Sequence, residues 1–200
     1  MDAALAVIRQ KGFCATSVDD LCKHAGVTKG AFFHHFESKE ALGVAAAEHW
    51  SATTGVFFAD APYHRQADPL KRVLAYIDFR KSILQGSLPE FTCLVGTMVQ
   101  EVYGEAAAVR EACRASIFGH AQTLEADISE AMARRGVADG WSAQSLALHT
   151  QAVIQGAFIL AKADGGARVA AESIDHLKRY VELLFANQKE GEPEHVCREF

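Results

Sequence analysis

Hydrophobic spacing divides the chain into helical segments separated by short polar breaks. Leu70, Val73, Leu74, Ile77 and Leu84 recur at the three- and four-residue intervals of one helix face. Asp68-Pro69 opens that segment, an N-cap residue followed by proline at the first helical position. Comparable patterns predict helices over 92–103, 105–135, 143–163 and 167–187. Asp139-Gly140 marks a turn, Ser142 stands where it would cap the next helix, and Asp164-Gly165-Gly166 supplies a glycine stop. The prolines Pro62, Pro69, Pro89 and Pro193 all fall between these patterns. No segment alternates with the period of a strand, and no repeat or low-complexity tract interrupts the chain. The fold class this predicts is all-α.

The first forty residues carry finer punctuation. Gly12 stops a first helix. Thr16 or Ser17 caps a second, with Asp19 or Asp20 three residues on as capping-box partner. That helix ends at Ala25-Gly26, where glycine permits the positive φ of a tight turn. Cys22 is small enough for another helix to cross closely. Thr28 then caps a third helix, with Val27, Phe32 and Phe36 toward the packed side and Lys29, Phe33 and His34 outward. A fourth helix begins near Ser38. Helix N-termini offer free N–H groups and a positive dipole end to phosphate. Thr16, Ser17 and Thr28 add hydroxyls, and Lys29 and Lys39 add charge, to position a recognition helix in a DNA groove.

Composition tempers that picture. The 200 residues are 50% hydrophobic and carry a formal net charge of −5, so DNA binding must rest on the local motif rather than on bulk charge. The cysteines Cys14, Cys22, Cys93, Cys113 and Cys197 are odd in number and lack CxxC spacing, which points to reduced thiols. A redox-sensing role for Cys93 or Cys113 stays open. No signal-peptide pattern opens the chain, and the apolar run Ala152–Ala161 is shorter than the ~20 residues that span a bilayer. A cytoplasmic protein without membrane attachment is expected. His34 and His35 are adjacent and point roughly 100° apart on a helix, so they do not chelate one ion together. No catalytic constellation, metal set or cofactor motif is evident. Glu101, Glu105 and Glu111 read as a solvated face, and Glu130 and Arg134 as an i,i+4 pair.

Residues 12–42 closely resemble the N-terminal domain of TetR-family regulators. The correspondence runs through Thr16, Val18, Leu21, Ala25-Gly26-Val27, Thr28-Lys29-Gly30, Phe32-Phe33-His34-His35-Phe36, Ser38-Lys39-Glu40 and Leu42. It implies phosphate contacts from Thr16, Thr28 and Lys39, and groove contacts from Lys29, Gly30, Phe33 and His34. Ser17 adds a contact at the second helix, and His35 lies at the junction with the next. Phe33 stands where the family usually has tyrosine, so its ring is left with apolar contacts such as a thymine methyl. The Asp68-Pro69-Leu70 opening and the run from Gln155 to Ala163 resemble the family's C-terminal domain.

That resemblance implies three units: a helix-turn-helix domain at 1–46, a larger helical ligand-binding and dimerisation domain at 47–188, and a flexible tail at 189–200. In the family the last two helices pair with their copies in a four-helix bundle. The seam candidates here are Val153, Gly156, Ala157, Leu160, Leu177, Val181 and Leu184. The family also places an effector in the helical domain. Phe79, Phe91, Met98, Tyr103, Phe118 and Trp141 are the wall candidates, with Gln100, His120 and Gln122 to orient a polar end. The expected partners are double-stranded operator DNA, a second copy of the chain and a small hydrophobic or aromatic compound, with no anionic group implied. The expected function is a repressor released by that compound. The alternative is an all-helical ligand-binding protein or enzyme that keeps the fold without binding DNA.

Overall fold

A computed structural model describes residues 1–137 and 140–186. Every regular element among them is helical. The order is α1 (Asp2–Lys11), α2 (Val18–Ala25), α3 (Lys29–His35), α4 (Lys39–Ala59), a short 3-10 turn (Pro62–Arg65), α5 (Pro69–Ser82), α6 (Leu88–Phe91), α7 (Leu94–Val102), α8 (Ala107–Arg134), α9 (Ala143–Asp164) and α10 (Arg168–Ala186). Asp139 of the expected turn, together with Pro193, His195, Cys197 and the tail at 189–200, lies outside the described residues.

Local chemistry explains most boundaries. The Ser17 hydroxyl accepts from the Asp20 amide, and the Asp20 carboxylate accepts from the Ser17 amide, closing a capping box on α2. The hydroxyls of Thr28 and Ser38 and the carboxylate of Asp68 accept from the third residues of α3, α4 and α5. Gly26 ends α2 at φ 67°, a left-handed conformation that glycine adopts without cost. The helix expected over 92–103 is α7, which starts at Leu94 with the Cys93 sulfur as its cap, and the separate single turn α6 with Pro89 in its first turn precedes it.

Two apolar cores run the length of the molecule. The first binds α5, α8, α9 and α10 around Tyr76, Ile77, Ile128, Ile154, Ile174 and Val181. Cross-helix ion pairs tie its rim: Arg72 to Asp127 and Glu130 at 2.8 and 2.9 Å, Lys81 to Asp175 at 2.7 Å, and Lys178 to Asp78 at 2.8 Å. The second core joins Ile8, Leu21, Phe32 and Leu42 of the first four helices and Phe13 of the α1–α2 loop to Leu94, Met98 and Val109 of α7 and α8. The N-terminal helices therefore share a core with the body. The expected domain boundary at residue 46 falls inside the unbroken helix α4.

Several expectations need correcting. Val27 is exposed at the inter-helix turn rather than packed. Glu101 is more than a solvated face, because its carboxylate accepts from the Cys14 amide at 2.8 Å and lies against Gly12. Glu111 pairs with Arg114 across one turn, and Glu130 pairs with Arg134 as its spacing suggested. Ile154 is fully enclosed between α9 and its neighbours. Ile154→Ala should cost about 2–5 kcal/mol, the range for emptying a large aliphatic position that collapses incompletely. Urea unfolding followed by circular dichroism measures it.

Candidate functional site

The outer face of the N-terminal helices is built around α3. Phe32 is buried beneath it, and its ring meets Phe33 edge-on at 5.1 Å. Phe33 itself is 53% exposed, and Gly30, His34 and His35 share the solvent side. A methyl group built on Gly30 would meet nothing nearer than the Thr28 hydroxyl at 3.7 Å. Nothing within the chain requires glycine there, so the bare backbone of the first turn is open to a close partner. Lys29 ion-pairs with Asp19 of α2 at 2.8 Å, which holds its ammonium above the ordinary lysine range. Lys11 pairs likewise with Asp20 at 2.7 Å. Lys39 donates to the Cys14 carbonyl at 3.1 Å and lies 4.7 Å from the Phe13 ring centre.

Thr16 differs from the other candidates. It is buried, and its hydroxyl donates to the Gly12 carbonyl at 2.6 Å. That bond fixes the α1–α2 corner and leaves the side chain no exposed group for a phosphate. Ser17, Thr28 and the α3 residues are exposed.

Behind this head lies a cavity of about 300 Å³ between α1, α4, α5, α6, α8 and α9. Of the expected wall residues Phe91 lines it, and of the expected polar groups His120 does. Phe79 stands one layer back, tilted against Phe57 and edge-on to Phe58 at 5.5 and 5.8 Å. Met98 is buried in the head-side core, Tyr103 is exposed at the end of α7, and Trp141 packs edge-on against Phe185. Phe118 and Gln122 line a separate outer groove with Leu148. Gln100 bonds the Gly96 carbonyl of its own helix. The walls instead use Phe57, Phe58 and Phe158, with Arg9, Trp50 and Arg80 among the polar and amphipathic members.

Sequence reasoning missed Arg80 and Gln151, although a signal existed. Arg80 continues the buried stripe Val73, Tyr76, Ile77 of α5, and Gln151 continues Ala147 and Thr150 of α9. A polar residue in register with an apolar stripe marks either a satisfied network or a site. Here Gln151 donates to the Tyr76 hydroxyl at 3.1 Å, and that hydroxyl lies 2.9 Å from His120 Nε2. Gln151 and the nearby Arg80 guanidinium are both donors to that hydroxyl, so Nε2 of His120 is the acceptor left for its proton and the ring is neutral. Burial, reinforced by the Arg80 charge, pushes the His120 pKa down to about 3.

The described cysteines carry free thiols. Burial pushes the Cys113 thiol up to about 12, which removes its thiolate near neutral pH, whereas Cys93 lines the cavity. No group of three or more His, Cys, Asp or Glu suited to a metal occurs among the described residues. No helix there is long and apolar enough to cross a membrane.

The last two helices redistribute the expected seam. Ala157, Leu177 and Val181 are buried within the chain's own core. Val153, Gly156 and Leu184 are half-buried, and Leu160 is 49% exposed. Tyr180 and Leu183 are exposed beside them.

A helix-turn-helix head on an all-helical body defines the class. Residues 1–46 match the family profile described as bacterial regulatory proteins, TetR family. Residues 69–169 match the C-terminal domain described as transcriptional regulator LmrA/YxaF-like. The transcriptional regulator AcuR of Cereibacter sphaeroides is 27% identical over 62% of this chain and 54% of its own length. The HTH-type transcriptional repressor NemR of Escherichia coli is 37% identical over 34% of each chain. This chain thus spans about half, or a third, of those relatives. Among solved structures, reduced E. coli NemR superposes with a TM-score of 0.75 at 23% identity, covering 88% of this chain and 93% of that one. A CifR cysteine mutant complexed with 26-bp operator DNA superposes with a TM-score of 0.72 at 19% identity, covering 94% of both. These two likenesses establish the fold. The chain belongs to the TetR family of regulators.

The neutral His120 has a measurable consequence. Between pH 6.5, the ordinary histidine value, and about 3 the unfolded chain binds a proton here that the folded chain refuses. Stability should therefore fall as pH drops through that window. His120→Gln should flatten the decline, read as the shift in urea midpoint between neutral pH and the lower half of the window.

Proposed function

We propose that the chain is a dimeric, DNA-binding transcriptional repressor of the cytoplasm, released from its operator by a small molecule held in the body. The observation that carries this reading is α3: a capped helix with an unobstructed glycine in its first turn and Phe33, His34 and His35 facing solvent. Lys29 and the Ser17, Thr28 and Lys39 region supply the phosphate-facing rim. Two heads placed roughly 34–36 Å apart would enter successive major grooves of a near-palindrome. The apolar surface of Val153, Leu160, Tyr180 and Leu183 supplies the self-complementary seam. Gly156 has no neighbour within 4 Å of an added methyl, which leaves room for a close helix crossing.

The pairing of Lys11 and Lys29 with acids of the head sets DNA affinity below that of an all-basic head. Asp19→Asn frees Lys29 and should raise affinity, whereas Lys39→Ala should weaken binding to all sequences and flatten its salt dependence. Gly30→Ala should leave the free protein as stable or up to about 1 kcal/mol more so, yet weaken operator binding. Fluorescence anisotropy on DNA flanking the chain's own gene measures all three. Wild-type affinity there no better than for unrelated DNA would favour the fold-without-DNA alternative.

Leu160→Asp and Leu183→Asp each place a charge on the proposed seam. Both variants should run as folded monomers by light scattering. Dimers of unchanged stability would move the seam elsewhere.

A further inference from the structure

Arg72 and Lys81, on the same helix α5, each hold a carboxylate. Among the described residues Arg80 holds none. It is 8% exposed, and its Nε is buried with no hydrogen-bond partner among them. Its Nη1 has only long contacts, 3.5 Å to the Tyr76 hydroxyl and 3.4 Å to His120 Nε2. The remaining compensation is aromatic, with Phe58 and Phe158 ring centres at 5.1 and 5.8 Å. A permanently charged guanidinium buried without an anion is costly to the folded chain. Its neighbours do not offset it, since His120 is neutral and Gln151 directs its amide to Tyr76. Glu90, an acid on the cavity wall, is bound by the amide and hydroxyl of Ser87.

We propose that the cavity binds a small carboxylate with a flat apolar body, its carboxylate seated on the Arg80 guanidinium. The fork of N–H donors matches a carboxylate's two oxygens. Phe57, Phe58, Phe91 and Phe158 supply apolar walls for the body, and about 300 Å³ suits a compact molecule. The sequence implied no anionic group, and the Arg80 geometry is what adds one here. Arg9 of α1 lines the same cavity with its own Nε buried and unpartnered, so the occupied cavity includes a residue of the DNA-reading head. The proposal rests on reading this cavity as the effector site.

The test is isothermal titration of the full-length chain at neutral pH with 3-phenylpropanoate and its neutral isostere 3-phenylpropanamide. The acid should bind at least about tenfold more tightly, the scale of one charge-assisted pair. Arg80→Met should abolish that preference, and Arg80→Lys should restore part of it. Equal affinities in the wild type, a preference that survives Arg80→Met, or no heat from either probe at millimolar concentration would each overturn the proposal. The wild-type comparison stands even if Arg80→Met fails to fold. Repeating the acid titration with operator DNA present separates the two readings. Tight acid binding that DNA leaves unchanged keeps the Arg80 site and defeats the effector role.

Discussion

The guanidinium of Arg9 joins the helix-turn-helix head to the rest of the molecule. It leaves α1, lies 4.9 Å from the Trp50 ring centre on α4, and donates to the Thr92 carbonyl at 3.2 Å just beyond α6. Desolvation lowers its pKa, which is the signature of a charge held where water would serve it better. Glu101 of α7 makes the second tie by accepting from the Cys14 amide in the loop after α1. Around these two polar links the head and body share Ile8, Leu94, Met98 and Val109 in a single core. A well-packed core of this kind moves in discrete steps and not by gradual bending. The head is therefore not a bead on a tether, and its attitude follows that of α6 and α7.

The cavity lies directly behind that junction. Its wall includes Arg9, Trp50 and Thr92, the three groups of the Arg9 tie, together with Arg80 and His120 of the deeper polar cluster. A molecule that occupies the cavity touches both. Such a molecule shifts the head only if it favours one junction geometry over another, and DNA must then oppose its binding to the same degree. The continuous helix α4 would carry such a shift outward, since it begins at the Lys39 rim and reaches the cavity wall with Phe57 and Phe58.

How much of this was readable from residues alone depended on range. Caps and turns are local, so Ser17, Gly26, Thr28 and Asp68 announced the helix starts and stops that the structure contains. The α3 face was legible for the same reason. The cavity was not, because its walls come from segments far apart in sequence and aromatic character does not distinguish a wall from a core. Met98 and Trp141 were good apolar candidates that pack elsewhere, while Phe57 and Phe58 lay in a segment read only as the start of a new domain. Which stripe of α9 faces outward was hidden for a related reason. A helix apolar nearly all round, such as α9, does not reveal which stripe its own chain covers, and Ala157 proved to be inside while Leu160 proved to be outside. Arg80 was the exception, a long-range feature with a short-range clue in its buried stripe.

The most direct test of the central claim is operator affinity in Arg9→Met. The substitution keeps the apolar stem and removes the link to Thr92, and it alters no residue of the outer face. If the body sets the head through Arg9, the folded variant should bind operator about tenfold more weakly, within the usual range of coupling between sites. Its log–log salt slope should stay that of the wild type, because no phosphate contact has been lost. Wild-type affinity in a folded Arg9→Met would contradict the account, and so would a loss of affinity that came entirely from a flatter salt slope.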